Sequence, residues 1–264
     1  MKKIRRILIC LIVLSLLCLG GYTYFFSATD LTFSNINVKS NQIPAKFANF
    51  KIAYLSDLHI RSQKDITRLK KIVDELNDCT YDMVLFGGDL FESKVISDST
   101  VESLLKKIDS NYGKFAVLGN EDEAHSSEVT QVLNEGGFEV LNDVSRTIYY
   151  KSKSITLYGL SPDGDASKIK SDGYTICLAH YPDSFKETAG KVNLQLSGHS
   201  GGGFLYLPMI GSLIKTKHAL TYNHGTYQKS GSTLIVSNGL SITTAMPYKL
   251  FARNEVLMVT LNES

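Results

Sequence analysis

The sequence contains few prolines, few cysteines and almost no net charge. Its 264 residues include 5 Pro and 4 Cys beside 20 Gly, and 43% of them are hydrophobic. This balance excludes a disordered chain, a collagen-like fibre and a long coiled coil. A net charge of +2 gives no overall signature of nucleic-acid binding, so we expect no nucleic-acid partner.

The four cysteines are too scattered to form a disulfide framework. Cys10 and Cys18 lie in an apolar N-terminal run, which leaves Cys79 and Cys177 in the rest of the chain. Cys177 lies inside a second apolar run and is predicted to be a small core residue. We predict that Cys79 and Cys177 are not bridged.

Acidic residues are absent from the first 26 positions, which hold four Lys or Arg, and the rest of the chain carries 24 basic against 26 acidic residues. Residues 7–26 form a charge-free run of twenty residues, ILICLIVLSLLCLGGYTYFF. A helix of that length spans a hydrocarbon core of about 30 Å. Because Lys and Arg resist translocation, the pattern predicts a single-pass membrane anchor, with the N-terminus in the cytoplasm and the body outside it.

Three other interpretations of this run remain open. A cleaved signal peptide lacks a clear small-x-small site, because Phe26-Ser27-Ala28 fails at its first position. Arg5-Arg6 matches a twin-arginine export signal poorly, and a buried core helix fits badly with the basic prefix. We divide the chain into a basic tip and transmembrane anchor (1–28), a connector with a first strand (29–49) and one domain (50–264).

The body alternates strand-like and helix-like segments in its first half and is mostly β-rich in its second half. The first half has predicted strands at 51–56, 82–86 and 114–118 and predicted helices at 65–76, 101–108 and 129–133. The second half has predicted strands at 146–150, 154–159, 174–179, 193–197, 219–222, 233–237 and 255–261. This order predicts one α/β domain in which βαβα units precede a largely β layer.

Polar residues follow five of these predicted strands directly. They are Asp57-Leu58-His59, Asp89, Asn120-Glu121-Asp122, His180 and His199. Each alone has an ordinary explanation, such as a helix cap, a turn or a core histidine. Since ligands collect outside the carboxyl ends of strands in open α/β sheets, their shared placement favours a binding site. Oxygen and imidazole donors of this kind suit Mn, Fe or Zn.

These strand ends resemble the successive motifs of calcineurin-like metallophosphoesterases, over about residues 50–261. The residues that carry the resemblance are Asp57-Leu58-His59, Gly88-Asp89, Gly119-Asn120, His180 and Gly198-His199. Further stretches resemble a membrane-associated bacterial branch of the family: LAHYPD (178–183), LSGHS (196–200), YNHGTY (222–227), VSNGLS (236–241) and NEVLMVTL (254–261). The resemblance implies a four-layer α/β sandwich of two mixed β-sheets flanked by helices, with two metals at its edge.

The resemblance also implies a role for each motif residue. Asp57 and His59 would bind the first metal, Asp89 would bridge both, and Asn120, His180 and His199 would bind the second. Two divalent ions about 3.5–4 Å apart polarise phosphoryl oxygens and lower the pKa of a bridging water, whose hydroxide attacks phosphorus in line. The implied activity is hydrolysis of a phosphate ester or phosphodiester.

The chain departs from the family pattern at two positions. Glu121 stands where the family commonly has the His of Asn-His-Asp, and Gly201 stands where Gly-His-x-His has its second His. The first change removes an imidazole credited with stabilising the phosphate, and the second removes a ligand of the first metal.

Three hypotheses account for these departures. Glu121 compensates as a catalytic or metal-binding carboxylate, with water or one of His125, His218 and His224 completing the site. Alternatively, the protein keeps one metal and has reduced activity. The third hypothesis is a degenerate enzyme that serves as an extracytoplasmic binding module. We favour a working phosphoesterase.

The expected substrate is a phosphorylated small molecule or a lipid-linked phosphate near the bilayer. A phospholipid head group, a nucleotide-sugar lipid and a cell-wall phosphate ester all fit. The apolar stretch Leu205–Ile214 (LYLPMIGSLI) is open to two interpretations, a lipid-facing lip beside His199 and simple core packing.

Overall fold

Two six-stranded sheets form the centre of the fold, in a computed structural model that describes residues 2–25, 30–96 and 99–264. The first sheet has the order β1 (Leu31–Lys39), β14 (Asn254–Asn262), β2 (Phe50–Leu55), β3 (Met83–Phe86), β4 (Lys114–Ala116), β5 (Glu139–Val140). The second has the order β12 (Gly225–Lys229), β13 (Ser232–Val236), β9 (Leu194–Ser197), β8 (Thr175–Ala179), β7 (Lys153–Leu160), β6 (Val144–Tyr150). A small ribbon pairs β10 (Tyr206–Leu207) with β11 (Gly211–Ser212).

Both sheets are mixed, and most of their pairs are parallel. In the first sheet only β14 and β2 run antiparallel. In the second sheet the antiparallel pairs are at the two edges, β12 with β13 and β6 with β7. The carboxyl ends of β2, β3 and β4, and of β8, β9 and β13, therefore each form a row along one edge of their sheet.

Three helices cover the outer face of the first sheet. They are α2 (Gln63–Asn77), α3 (Ser99–Lys106) and α4 (Ser126–Glu135). The helix α2 buries one apolar face, with Ile66, Leu69, Ile72, Val73 and Leu76 packed on the sheet. The helix α4 ends at Glu135 and is followed by Gly136 and Gly137, and Gly137 has a φ of +84°.

The main core lies between the two sheets. It joins apolar side chains from the inner face of each sheet, such as Ile52 and Leu85 of the first and Leu157, Leu178 and Leu196 of the second. The far face of the second sheet is covered by smaller clusters around the short helix α5 (Phe185–Thr188) and a 3₁₀ turn at Ala166–Lys168. This layering agrees with the predicted mixed α/β class.

The N-terminal segment is a helix, α1, that runs from Lys2 to Phe25. Within residues 2–25, 30–96 and 99–264, no helix combines the length and the apolarity needed to cross a membrane. The end of the predicted span at Phe26 and the rejected cleavage position at residues 26–28 lie outside the described residues.

The structure confirms most predicted strands and corrects one of them. The predicted strand at 219–222 is wrong, because the backbone N–H groups of Leu220, Thr221 and Tyr222 donate to the Asp183 carboxylate instead of a neighbouring strand. The sequence pattern missed the exposed edge strand β12 and the ribbon β10–β11. Cys79 and Cys177 are free thiols, as predicted, and Cys177 is buried.

Candidate metal centre

The predicted polar residues meet where the ends of the two sheets face each other. Asp57 and His59 follow β2, Asp89 follows β3, and Asn120 follows β4. His180 and His199 follow β8 and β9 of the second sheet. Residues from both sheets approach one another here, His180 with Asp89 and His199 with Asp57. The carboxyl ends of the two sheets therefore form one shared site.

One group of candidate ligands consists of Asp57, His59 and Asp89, all buried. One donor atom from each lies within 4.8 Å of the others. His59 Nε2 is 3.9 Å from Asp57 Oδ1 and 3.7 Å from Asp89 Oδ2. Two carboxylates and an imidazole at these separations surround a space suited to a divalent cation.

A second group consists of Asp89, His180 and His199, with donor atoms again within 4.8 Å of one another. His180 Nε2 lies 3.2 Å from Asp89 Oδ2 and also 3.2 Å from Asn120 Oδ1. Asp89 belongs to both groups. The arrangement is therefore a pair of adjoining candidate sites that share one carboxylate.

Four of these residues adopt left-handed backbone conformations. Their φ angles are +57° at Asp57, +42° at His59, +58° at Asp89 and +66° at His199. For residues other than glycine such conformations cost roughly 1–3 kcal/mol each, and they occur in tight turns and cluster at active sites. The loops are thus held in strained turns that direct these side chains into one space.

The glycines of the Gly-Asn and Gly-His motifs allow the loops to approach closely. A Cβ on Gly119 would lie 2.1 Å from Asp89 Oδ1, and a Cβ on Gly198 would lie 2.4 Å from Asp57 Oδ2. Any side chain at either position would displace a candidate ligand. Close contact with the carboxylates requires glycine at both positions, since neither has a left-handed backbone conformation.

Backbone carbonyls fix the orientation of two histidines. His180 Nδ1 donates to the carbonyl of Gly87 at 2.7 Å, so Nε2 is the atom that faces Asp89. His199 Nε2 donates to the carbonyl of Lys217 at 2.6 Å, which leaves Nδ1 for a ligand. Hydrogen bonds donated in this way by the second ring nitrogen are typical of metal-binding histidines.

Asp89 and His180 stabilise each other's charged forms, and the charge of His180 disfavours a proton on His199. Burial alone would lower the pKa of His180, but the charge of Asp89 and its hydrogen bond raise that pKa to about 10. Burial alone would raise the pKa of Asp89, but His180 and His59 lower it below the ordinary range. Burial and the neighbouring His180 lower the pKa of His199 to about 4.

Asp122 is hydrogen-bonded to the loops that carry the candidate ligands. Its carboxylate accepts backbone N–H groups of Asp89 at 2.8 Å, Gly119 at 2.9 Å and Leu90 at 3.0 Å. Burial and then the charge of Asp89 raise the pKa of Asp122 to about 7, against these hydrogen bonds. The residue ties the β3 and β4 loops together, a role that its place in Asn120-Glu121-Asp122 did not reveal.

Glu121 lies beside the second group. Its backbone N–H donates to Asp89 Oδ1 at 2.9 Å, and its Oε1 accepts a bond from Asn120 Nδ2 at 3.3 Å. Among the described residues, neither group of candidate ligands includes Glu121. The structure thus brings Glu121 to Asn120, and its role in replacing a ligand of the first group stays a prediction.

The other proposed substitutes lie outside both groups. His218 stacks on Tyr181 with ring centroids 4.2 Å apart, and His224 stacks on Tyr206 at 3.9 Å. His125 lies 3.9 Å from Glu128 on the first turn of α4. At Gly201, a Cβ would lie 2.5 Å from the Cζ of Phe204, so this ring covers the position of the missing histidine.

Sequence reasoning missed several residues that surround the site. Glu92 Oε2 lies 3.9 Å from His59 Nδ1, and neither atom has a hydrogen-bond partner in the described structure. Lys249 is buried and donates to the carbonyls of Asn238 and Gly239, the loop that packs on Asp57. The VSNGLS stretch (236–241) could have indicated that loop, because it lies at the end of a strand as the other motifs do.

The donor set fits a pair of divalent cations. It offers carboxylate oxygens, imidazole nitrogens and the amide oxygen of Asn120. One carboxylate is common to both groups. Nδ1 of buried His59 has no hydrogen-bond partner and lies 3.9 Å from Glu92 Oε2, which is itself 3.5 Å from Arg61 Nη1.

The chain matches the family model described as "Calcineurin-like phosphoesterase" over residues 50–202. That span is more than half of the chain and includes every candidate ligand named above. The chain belongs to the calcineurin-like phosphoesterase family. It is accordingly a metallophosphoesterase, a hydrolase of phosphate esters, and the family resemblance seen in its motifs is confirmed.

Relatives carry the same family name. The chain is 30% identical over 261 residues to "Uncharacterized metallophosphoesterase YkuE" of Bacillus subtilis, covering 93% of this chain and 91% of that protein. It is 32% identical over 226 residues to an "Uncharacterized metallophosphoesterase" of Helicobacter pylori, covering 80% of this chain and 59% of that protein. A Danio rerio "Transmembrane protein with metallophosphoesterase domain" is 21% identical over 286 residues, covering 98% and 63%.

Proposed function

We propose that the chain hydrolyses a phosphate ester or phosphodiester with two divalent cations held at the meeting point of the two sheets. The first would be held by Asp57, His59 and Asp89, and the second by Asp89, Asn120, His180 and His199. The observation that carries this proposal is that Asp89 is common to both groups of donors. Mn, Fe and Zn all suit the donor set.

When bound, such a cation pair supplies Lewis-acid polarisation of the phosphoryl oxygens and an activated water. The residues of the chain prepare the site for this chemistry. The carbonyls of Gly87 and Lys217 hold His180 and His199 in their tautomers. Asp122 holds the loop of Asp89, and Glu121 holds the amide of Asn120.

Hydrolysis of a model phosphodiester tests this proposal directly. Full-length protein, purified in detergent and loaded with Mn²⁺, should cleave bis(p-nitrophenyl) phosphate, and Asp89→Asn should abolish turnover and lower the metal content. Asp82→Asn is the matched control, since Asp82 Oδ2 accepts a bond from the Lys51 N–H at the opposite end of the sheet. Equal loss in both variants would contradict the assignment of Asp89. A wild type that neither binds metal nor turns over would instead support the binding-module hypothesis.

We further propose that the protein is anchored in the cell membrane by its N-terminus, with the site outside the cytoplasm. The support is the charge-free run at 7–26, the four basic residues before it, and the name of the Danio rerio relative. Full-length protein should resist carbonate extraction, and protease added to intact spheroplasts should digest the body. Release by salt alone would exclude an anchor, and digestion only after lysis would reverse the orientation.

A further inference from the structure

Exposed apolar side chains are concentrated beside the site. Outside α1, eight large hydrophobic side chains of the described residues are exposed, and six of them lie between positions 209 and 251. We call five of these the apolar lip: Met209, Ile210, Leu213, Tyr248 and Phe251. Met209 is as exposed as in an extended chain, at 105%, and Ile210 is 74% exposed. Exposed patches of this kind mark interaction surfaces in soluble domains.

The lip is an ordered part of the fold. Met209 and Ile210 form the turn between β10 and β11, where Ile210 N–H donates to the carbonyl of Leu207 at 3.1 Å. The segment with Tyr248 and Phe251 joins the ribbon through Leu250, whose N–H donates to Phe204 O at 2.7 Å. The two apolar segments are thus held side by side by backbone hydrogen bonds.

The chain segments that form the lip carry only positive side-chain charges. No Asp or Glu occurs from Thr188 to Asn254, a stretch of 67 residues that includes six Lys or Arg. Lys215 and Lys217 lie two and four residues after Leu213 and are exposed, and Arg253, two residues after Phe251, is paired with Asp30. Apolar tips flanked by basic side chains complement a bilayer with anionic head groups.

The start of the body lies at the same place. Asp30, the first described residue after α1, pairs with Arg253 at 3.2 Å between Oδ2 and Nε. Leu31 is paired with Asn254 in the sheet, so β1 begins at the end of the sandwich that carries the candidate ligands. Five residue steps separate Phe25 from Asp30, a reach of at most about 18 Å. The proposed anchor, on which this inference rests, would therefore keep the lip near the membrane.

The lip is also continuous with the site. The ribbon follows the Gly201–Gly203 turn, and the chain leaving it passes Lys217, whose carbonyl accepts the bond from His199. Insertion of the lip would bring the candidate ligands to the level of lipid head groups. A phosphate carried on a lipid would then reach the site without leaving the membrane surface.

We propose that the apolar lip inserts into the interface of an anionic bilayer, and that the substrate is a phosphate ester presented by a lipid head group. The apolar tips would lie among the upper acyl chains, while Lys215 and Lys217 contact the head-group phosphates. This surface is a second membrane contact, separate from the anchor.

The absence of tryptophan from the chain allows a direct test with single-tryptophan variants of the full-length protein. Ile210→Trp reports the lip, Leu14→Trp reports the anchor, and Tyr149→Trp reports an exposed position on β6 near the opposite end of the sheet. Each variant is reconstituted in vesicles of phosphatidylglycerol and phosphatidylcholine with brominated acyl chains. We expect quenching and a blue shift for Ile210→Trp and Leu14→Trp, and no quenching for Tyr149→Trp.

The pattern of quenching separates the lip from the anchor. If Leu14→Trp is quenched and Ile210→Trp is not, the lip proposal is wrong and the anchor stands. If Ile210→Trp alone is quenched, the lip binds membranes and the anchor proposal fails. If neither is quenched, both fail. A blue shift at Ile210→Trp without quenching means that a second copy or another protein covers the lip, which also overturns the proposal.

Variants of the lip's lysines and of its apolar side chains supply a second test, measured by quenching and by turnover. Lys215→Gln with Lys217→Gln should weaken docking of the lip by about fivefold per lysine, seen as reduced quenching of Ile210→Trp. Ile210→Ser with Met209→Ser should leave turnover of soluble bis(p-nitrophenyl) phosphate unchanged and abolish quenching of a tryptophan placed at Leu213. Undiminished quenching in the lysine variant, or any quenching that persists in the serine variant, would contradict insertion by these residues.

Discussion

The ring of Phe204 covers the Cα of Gly201. A Cβ at this glycine would lie 2.5 Å from Phe204 Cζ, and the glycine itself has a φ of +57°. The position at which the family commonly has a histidine is therefore closed to any side chain while Phe204 stays in place. The loss of that ligand involves two residues, the glycine and the ring that packs on it.

Restoring the histidine should destabilise the protein. Gly201→His forces an overpacked contact and an unfavourable backbone conformation, for which we expect a loss of about 1–3 kcal/mol. The melting temperature should fall by roughly 2–12 °C. The measurement is thermal unfolding of Gly201→His, Phe204→Ala and the double variant. The double variant should be more stable than the two single losses added together, and strict additivity would contradict the contact.

Metal binding should release a proton from His180. Because the pKa of His180 is raised to about 10, the metal-free protein holds a proton on this residue at neutral pH. A histidine binds metal only when neutral, so binding should weaken about tenfold for each unit by which the pH falls below that pKa. Calorimetric titration with Mn²⁺ in buffers of different ionisation enthalpy measures the number of protons released. His180→Gln should abolish the release and His125→Gln should not; an unchanged release in His180→Gln would refute this origin.

Glu92 should strengthen metal binding by the first group. Its Oε2 faces Nδ1 of His59 at 3.9 Å, and its Oε1 accepts the Thr244 N–H at 2.8 Å. A carboxylate behind a metal-binding imidazole raises affinity, and its removal typically costs about 10–100-fold. Glu92→Leu should therefore lower the affinity for one of two metals, with Glu92→Gln intermediate. Equal affinities in all three proteins, measured by competition with a fluorescent chelator, would count against this role.

Glu121 should act on the second group through Asn120. Glu121→Ala removes the acceptor of the Asn120 amide, and we expect metal affinity or kcat/KM to fall by roughly 10–100-fold. Glu121→Gln keeps an acceptor oxygen and should retain most of the activity. Elemental analysis at saturating metal separates the alternatives, because loss of a whole metal equivalent would mean that Glu121 is itself a ligand.

The candidate ligands were predictable because they follow strands whose carboxyl ends meet. Apolar runs such as TICLA and LQLS fixed the strands, and the polar residue after each run became the candidate. The spacing of α2 was equally informative, since its stripe of apolar positions is the buried face. In each case the residue pattern and the element that it predicts lie within the same short stretch of sequence.

Features that depend on distant residues were not predictable in this way. The strand β1 pairs with β14 across more than 200 positions, and Asp183 holds residues 220–222 in a loop that an apolar pattern assigned to a strand. Phe204, whose ring contacts Gly201, has a φ of +46°, which no residue pattern indicates. Glu92 and Lys249 contribute through burial beside the site, and burial is set by the whole fold.

The proposed function depends on one carboxylate, Asp89, holding two cations. Anomalous diffraction from crystals of the Mn²⁺-loaded protein measures this. We expect two anomalous peaks, each about 2.0–2.2 Å from an oxygen of Asp89, one beside Asp57 and His59 and the other beside His180 and His199. A single peak, or two peaks of which only one contacts Asp89, would contradict it.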